Sequence, residues 1–367
     1  MMKKYAYNEI TYRQYVFFLY KTQIGIGVLT LPRTVSEAAG TDGWIPILVG
    51  WAFVLLASWL IISVLKRHPQ DTLYDLLPRY FGKWVGGLFN ILWMLYGALG
   101  AAVILYATVN IMRMWIMPQT SPFWMVILLS IPLYTIGRNG LRVLGRFAEF
   151  VYFFTLWMYP LLLFSLPDSR LLHLLPVFKD GWTPFLVAFQ TMMPSYLGFE
   201  MAFLLYPFLQ EKQKALRGVV TASTMTMLLY LFIFLLCTTY FGPEALKTYV
   251  WPTLNLMKAI ELVFVERFEI FFLSFYYIIV SMTIMPYLYL AVFGSSQLMG
   301  KQDHSRHLLV LLALIVLFFA VHPVNYEQSE RWTKMFGRAG IGFAFVFPAL
   351  LFAYVTVSDK MRGRKLS

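Results

Sequence analysis

The stretch KTQIGIGVLTLPR, residues 21–33, puts a lysine, two glycines two apart and a proline inside a run otherwise apolar enough for a membrane. A second stretch, VAFQTMMPSYLGFEMAFLLYPFL, residues 187–209, sets Pro194, Gly198 and Glu200 at its centre. Such residues interrupt a helix. Each interruption leaves free N–H groups and a partial positive charge at one half-helix end, beside free carbonyls at the other. In hydrocarbon an unwound turn persists only where something satisfies it. The chemistry on offer is recognition of a zwitterion, with the carboxylate on N–H groups and the ammonium on carbonyls. Each glycine or proline taken alone is equally consistent with tight helix packing or an ordinary kink, and the coincidence of two matched breaks favours binding.

Charges sit beside both breaks. Lys21 lies one turn before the first and Glu200 two residues after Gly198. A charge at that depth costs about 3 kcal/mol on insertion scales, and pairing is the usual remedy. A Lys21–Glu200 ion pair closing the inner side of the site is therefore expected, the alternative being that Lys21 snorkels and Glu200 bonds backbone in its own helix. Two further runs bring polar side chains to the same depth. WMLYGALGAAVILYATVN carries Tyr96 among small residues, and SMTIMPYLYL carries Ser281, Thr283 and Tyr287 on a helix softened by Pro286. The two hydroxyls of Ser281 and Thr283 are too weak a signal to assign an ion.

The elements that position these residues follow from composition. Of 367 residues 59% are hydrophobic and 18% aromatic, and only 13% are charged, so the bilayer is the solvent. A hydrocarbon core of about 30 Å needs roughly 20 apolar helical residues. Ten such spans are expected at about 11–38, 43–66, 84–113, 121–137, 145–166, 183–208, 217–241, 267–298, 307–323 and 337–358. The third and eighth are longer than a perpendicular crossing needs and predict tilt or protrusion. The predicted fold class is an all-α integral membrane protein of ten transmembrane helices. Helices 1 and 6, both discontinuous, lie five spans apart and cross in opposite directions, the pattern of an inverted five-plus-five repeat covering about 11–166 and 183–358.

The net charge of +12 comes from Lys and Arg spread over short connectors, with no basic patch for nucleic acid. Most lie on the side that holds both termini, which predicts cytoplasmic termini. No cleaved signal peptide is expected at MMKKYAYNEI. The longest connector, near residues 242–266, predicts a short interfacial helix. The single Cys237 has no disulfide partner. No phosphate loop, metal-ligand cluster or activated nucleophile appears, so neither a cofactor nor enzymatic activity is implied.

The segments ITYRQYVFFLYKTQIGIGVLTLPRTVSEAAGTDGWIPILVGW, LYDLLPRYFGKWVGGLFNILWMLYG and GFEMAFLLYPFL resemble the B subunits of endospore germinant receptors, the spore germination permeases. These are similar in turn to the amino acid-polyamine-organocation transporter superfamily. The resemblance covers nearly the whole chain, and its most specific portions are the first break with Pro32 and the DGW of Asp42 to Trp44. It implies a spore inner-membrane protein that recognises a small germinant, commonly an amino acid, in a complex with an A subunit and a lipoprotein C subunit. It also implies a ligand site at Gly25, Ile26 and Gly27 and at Ser195, Tyr196 and Gly198. Tyr96, Thr283 and Tyr287 carry over by span alignment. An uncharged pocket around Met192, Met193, Phe199 and Tyr287 suits a small neutral or apolar amino acid. A sensor is the first expectation, an ion-coupled carrier the second, and a structural subunit without ligand the third.

Overall fold

The computed structural model describes residues 8–176, 178, 181, 183–259, 267–300, 303–322 and 324–364. Helices fall on the ten spans expected from the apolar runs. The first span is two helices, α1 (Tyr12–Gln23) and α2 (Gly27–Ala39), parted at residues 24–26. The second is α3 (Trp44–Leu65) and the third α4 (Leu73–Trp115). α4 begins ahead of the expected third span. Gly82, at φ 79°, separates residues 73–81 from the long helix that follows. The fourth and fifth spans are α5 (Pro122–Gly137) and α6 (Leu141–Thr155), the latter continued by 3₁₀ turns to Asp168.

The sixth span begins as α7 (Thr183–Met192), runs through a 3₁₀ turn at Met193–Tyr196, and breaks at Leu197 and Gly198. It resumes with a 3₁₀ turn at Phe199–Met201 and α8 (Ala202–Leu205). After α9 (Ala215–Phe241) the long connector holds two short helices, α10 (Pro243–Thr248) and α11 (Pro252–Lys258). The expected interfacial helix is thus a pair. In α11 the side chains of Leu254, Leu256 and Met257 are buried, and the helix packs on α2 and the eighth span rather than lying apart; residues 260–266 of that connector are outside the described ones. The last spans are α12 (Phe268–Leu298), α13 (Ser305–Val321), and α14 (Tyr326–Ile341), which passes through a π-helical turn at Gly342–Val346 into α15 (Phe347–Arg364).

Local chemistry explains the element ends. Thr11 and Gln14 cap α1 reciprocally: the Gln14 N–H donates to the Thr11 hydroxyl and the Thr11 N–H to Gln14 Oε1. Pro32 stands inside α2, where it cannot donate to the Val28 carbonyl. The hydroxyl of Thr253 on α11 donates to that carbonyl at 2.8 Å, so the connector helix repairs the proline's missing bond. Asp42 accepts from the Phe178 N–H at 2.7 Å, and Thr41 donates to the Pro176 carbonyl at 2.6 Å. The DGW corner thereby ties the turn between α2 and α3 to the chain leading into the sixth span.

Leu56, Leu95, Leu128, Leu314 and Leu350 are each more than half exposed, a belt of large apolar side chains facing outward. Water does not tolerate such a belt and a bilayer requires it. Among the described residues, six helical stretches are by themselves long and apolar enough to cross a membrane, and the fourth, sixth and ninth spans contain shorter apolar helices. Inside the belt, α1 packs on α6, α9 and α12, and α2 packs on α7. The two broken helices therefore meet at the centre of the bundle.

Candidate functional site

At the first break the carbonyls are already engaged. The Tyr230 hydroxyl of α9 lies 2.9 Å from the Gln23 carbonyl and 2.7 Å from the Ser195 carbonyl, so one phenol proton is shared between both breaks. Tyr276 of α12 donates to the Gly25 carbonyl at 3.3 Å. Thr283, also on α12, lies 3.2 Å from the Lys21 carbonyl and 3.1 Å from that of Ile24. Sequence reasoning found Thr283 but missed Tyr230 and Tyr276. Among 23 tyrosines only the three-dimensional packing selects these two.

The N–H side of the break is different. Ile26 occupies the N-cap of α2 and provides no side-chain cap. First-turn N–H groups have no partner within their own helix. Here they stand at the centre of a membrane bundle with a net partial positive charge.

The breaks also touch. A Cβ added to Gly198 would lie 2.9 Å from the Gln23 nitrogen, and one added to Gly25 would lie 2.9 Å from Thr283 Cγ2. Gly27 faces Ser195 in the same way, at 3.2 Å. Gly25, Ile26, Gly27, Ser195, Gly198 and Thr283 are thus brought into one locus.

Glu200 is the anionic centre beside it. The Tyr96 and Tyr287 hydroxyls donate to Oε1 at 2.9 and 2.8 Å, and the Gly198 N–H donates to Oε2 at 2.6 Å. Side-chain exposure is 1%, and no cation lies within ion-pair distance of it among the described residues. The sequence placed Tyr96 and Tyr287 near the site, and their meeting on this carboxylate is the geometry it could not give.

The expected Lys21–Glu200 ion pair is not formed in this structure. The Lys21 side chain leaves α1 on the face that packs against α6, and its ammonium donates to the Thr155 hydroxyl at 2.7 Å. It also lies 5.5, 5.8 and 5.7 Å from the ring centroids of Tyr20, Tyr152 and Tyr159. Cation–π attraction in a desolvated site replaces the missing anion. Lys21 does not snorkel either: it is fully buried. Thr155→Val removes the hydrogen-bond acceptor and is expected to lower stability by about 1–3 kcal/mol. A thermal melt in detergent checks this, and Thr155→Ser should recover the loss. An unchanged midpoint for Thr155→Val would show that the rings alone hold the cation.

Two expected contacts point elsewhere. The Tyr196 hydroxyl donates to the Ile47 carbonyl of α3 at 2.9 Å, and the Phe199 ring packs on Phe345 with centroids 5.1 Å apart. Both brace the sixth span against its neighbours and do not face the Gly25–Gly27 turn.

Comparison with known proteins accords with this architecture. The model of a family described as spore germination protein matches residues 9–329. Spore germination protein YndE of Bacillus subtilis (strain 168) is 30% identical over 372 residues, covering 98% of this chain and 99% of that protein. Spore germination protein GerQB of Bacillus cereus is 28% identical over 363 residues, covering 95% and 96%. Among solved structures, MhsT in complex with L-phenylalanine aligns with a TM-score of 0.64 at 12% identity, over 93% of this chain and 87% of that one. That likeness is one of fold, and in this chain the bundle is built around two broken helices. With its family match over most of its length and relatives aligned end to end, the chain belongs to the spore germination protein family, the spore permeases.

Proposed function

We propose that this chain is the germinant-sensing B subunit of a spore germination receptor, and that a small amino acid binds where the two broken helices meet. The observation that carries the reading is the asymmetry of the first break. Its carbonyls are held by the hydroxyls of Tyr230, Tyr276 and Thr283, whereas the start of α2 has no side-chain cap. The ligand carboxylate goes to the N–H groups of Ile26, Gly27 and Val28. Because the carbonyls are already engaged, the ammonium goes to the Glu200 side, where a buried carboxylate has hydrogen bonds but no counter-ion among the described residues. This revises the simpler expectation of an ammonium on bare carbonyls.

Binding shifts the balance between two arrangements of the broken helices, and the change passes to the A subunit and the lipoprotein C subunit. The working location is the spore inner membrane with both termini cytoplasmic, supported by the placement of Lys and Arg. The second reading, an ion-coupled amino acid carrier, draws on the transporter fold shared with the MhsT complex. Purified protein in liposomes separates the two. Ligand binding without accumulation of labelled amino acid is the expected result, while gradient-driven accumulation would establish a carrier.

A further inference from the structure

The outward face of α14 breaks the apolar belt. Glu327, Arg331, Lys334 and Arg338 follow one another along it at helical spacing, and all four are exposed. Further down the same span Val346 and Leu350 are exposed at 51% and 66%, so this face looks out of the bundle. Aromatic side chains set its depth. On α4 the exposed Trp84 and the ring of Tyr106 stand about 33 Å apart at about 1.5 Å per residue, close to the thickness of the hydrocarbon core. Tyr106 packs on Trp332 with centroids 4.7 Å apart, and Trp332 on Phe318 of α13 at 4.8 Å, an aromatic cluster of the kind found at the membrane–water boundary.

Arg338 lies well inside that boundary. It is six residues below Trp332, about 9 Å along the helix. It also falls between Phe336 and Phe343, whose rings stack on Tyr96 at 5.4 and 4.7 Å, and the Tyr96 hydroxyl reaches Glu200 at the break. At this depth the neighbouring helices turn Leu95 and Leu314 outward, at 59% and 57% exposure. The charges above Arg338 are matched within the helix: Arg331 pairs with Glu327, and Lys334 with Glu330 at 3.2 Å. Arg338 has neither an ion pair nor a side-chain hydrogen bond among the described residues. The way up its own helix toward the headgroups passes Lys334, a like charge one turn above. A cation so placed takes a partner, and the partner is an anion at the same depth. A second copy of this chain does not offer one: among the described residues the carboxylate at that depth is Glu200, buried and bonded within the site. Phospholipid phosphates lie beyond the level of Trp332, outside the hydrocarbon.

We propose that the Arg338 face of α14 docks a membrane helix of a different protein, one that carries an aspartate or glutamate near the bilayer midplane and pairs it with Arg338. The span that presents Arg338 outward holds Tyr96 on its inner side through Phe336 and Phe343, so the partner and the buried carboxylate bear on opposite faces of one element. The surface stands on depth, exposure and charge, and does not require that an amino acid bind at the breaks.

The test places the photoreactive amino acid p-benzoylphenylalanine at Met335, which is 49% exposed beside Arg338, in the full-length protein in the membranes of its own host. After irradiation, adducts are mapped by peptide mass spectrometry. The expected result is an adduct with an apolar, membrane-spanning peptide of another protein that contains an aspartate or glutamate. Its yield should fall at least fivefold with Arg338→Glu and recover when that acidic residue is changed to arginine in the same cells. The same probe at Leu128 of α5, on the apolar belt, serves as the control and should give lipid adducts. Adducts at Met335 with lipid alone, with peptides of this chain, or with a partner peptide that has no acidic residue overturn the proposal, as does a yield that Arg338→Glu leaves unchanged. The thermal midpoint of the purified chain supplies the second readout. Arg338→Leu should leave it at or above that of the parent, because no partner within the chain is lost, and a marked drop would give Arg338 an internal role and overturn the docking surface.

Discussion

Glu200→Gln is expected to weaken binding of an amino acid on the order of 100- to 1,000-fold. The carboxylate receives three hydrogen bonds, from Tyr96, Tyr287 and the Gly198 N–H, and all three partners are donors. An amide can take the Gly198 N–H on its oxygen and donate its NH₂ to the two phenol oxygens, which accept as well as donate, so the unliganded protein loses little. The larger effect is on the ligand, whose ammonium would lose its only buried counter-charge. Breaking a buried ion pair by removing one member costs about 3–5 kcal/mol, and about 1.4 kcal/mol is tenfold in affinity. Calorimetric titration of the variant against the parent measures the ratio, with Tyr96→Phe and Tyr287→Phe, which keep the charge, expected to lose much less. Equal affinities for Glu200→Gln and the parent would remove Glu200 from the recognition site.

The largest structural effect is expected from Gly198→Ala. Gly198 has φ 124° and ψ −24°, a conformation that a residue with a Cβ reaches only with strain of about 1–3 kcal/mol. An alanine Cβ would also lie 2.9 Å from the Gln23 nitrogen and the Thr22 carbonyl carbon, backbone atoms that cannot rotate away. Overpacking of this kind costs about 1–3 kcal/mol more. The two broken helices must therefore separate or the sixth span must rewind. Gly198→Ala should drop the thermal midpoint well below that of Gly87→Ala, whose added Cβ meets open space. Equal midpoints for the two variants would mean that the breaks are not packed on one another in the folded protein.

Much of this was legible in the sequence because membrane folds are written in few and loud signals. Runs of apolar residues gave the ten spans. The glycines of the first span and the Pro194, Gly198 pair of the sixth gave the two breaks. Tyr96, Tyr287 and Thr283 were found because polar side chains are scarce at that depth.

What stayed hidden depended on helix phase and on partners far along the chain. Lys21 and Glu200 share a depth, which made a pair plausible, but rotation about α1 directs Lys21 to Thr155 and the rings of α6 and Tyr159. Tyr230 bonds carbonyls at residues 23 and 195, and no local pattern links these three positions. Tyr196 and Phe199 lie within the broken segment, yet alternate turns send them to α3 and to the last span. The kink at Gly82 was missed because the residues before 84 read as a connector between spans, and the helix at 73–81 shows only in the structure.

The central claim is that the uncapped start of α2 and the carboxylate of Glu200 together recognise a zwitterion. Its most direct test is the thermal shift of the purified protein with a panel of neutral L-amino acids, each set beside its deaminated acid and its decarboxylated amine. The account predicts that at least one amino acid raises the midpoint while its two analogues do not, and that Gly25→Ala, whose Cβ would press on Thr283, abolishes the shift without preventing folding. Stabilisation by the acid or the amine equal to that by the amino acid, or by no member of the panel at all, would contradict it.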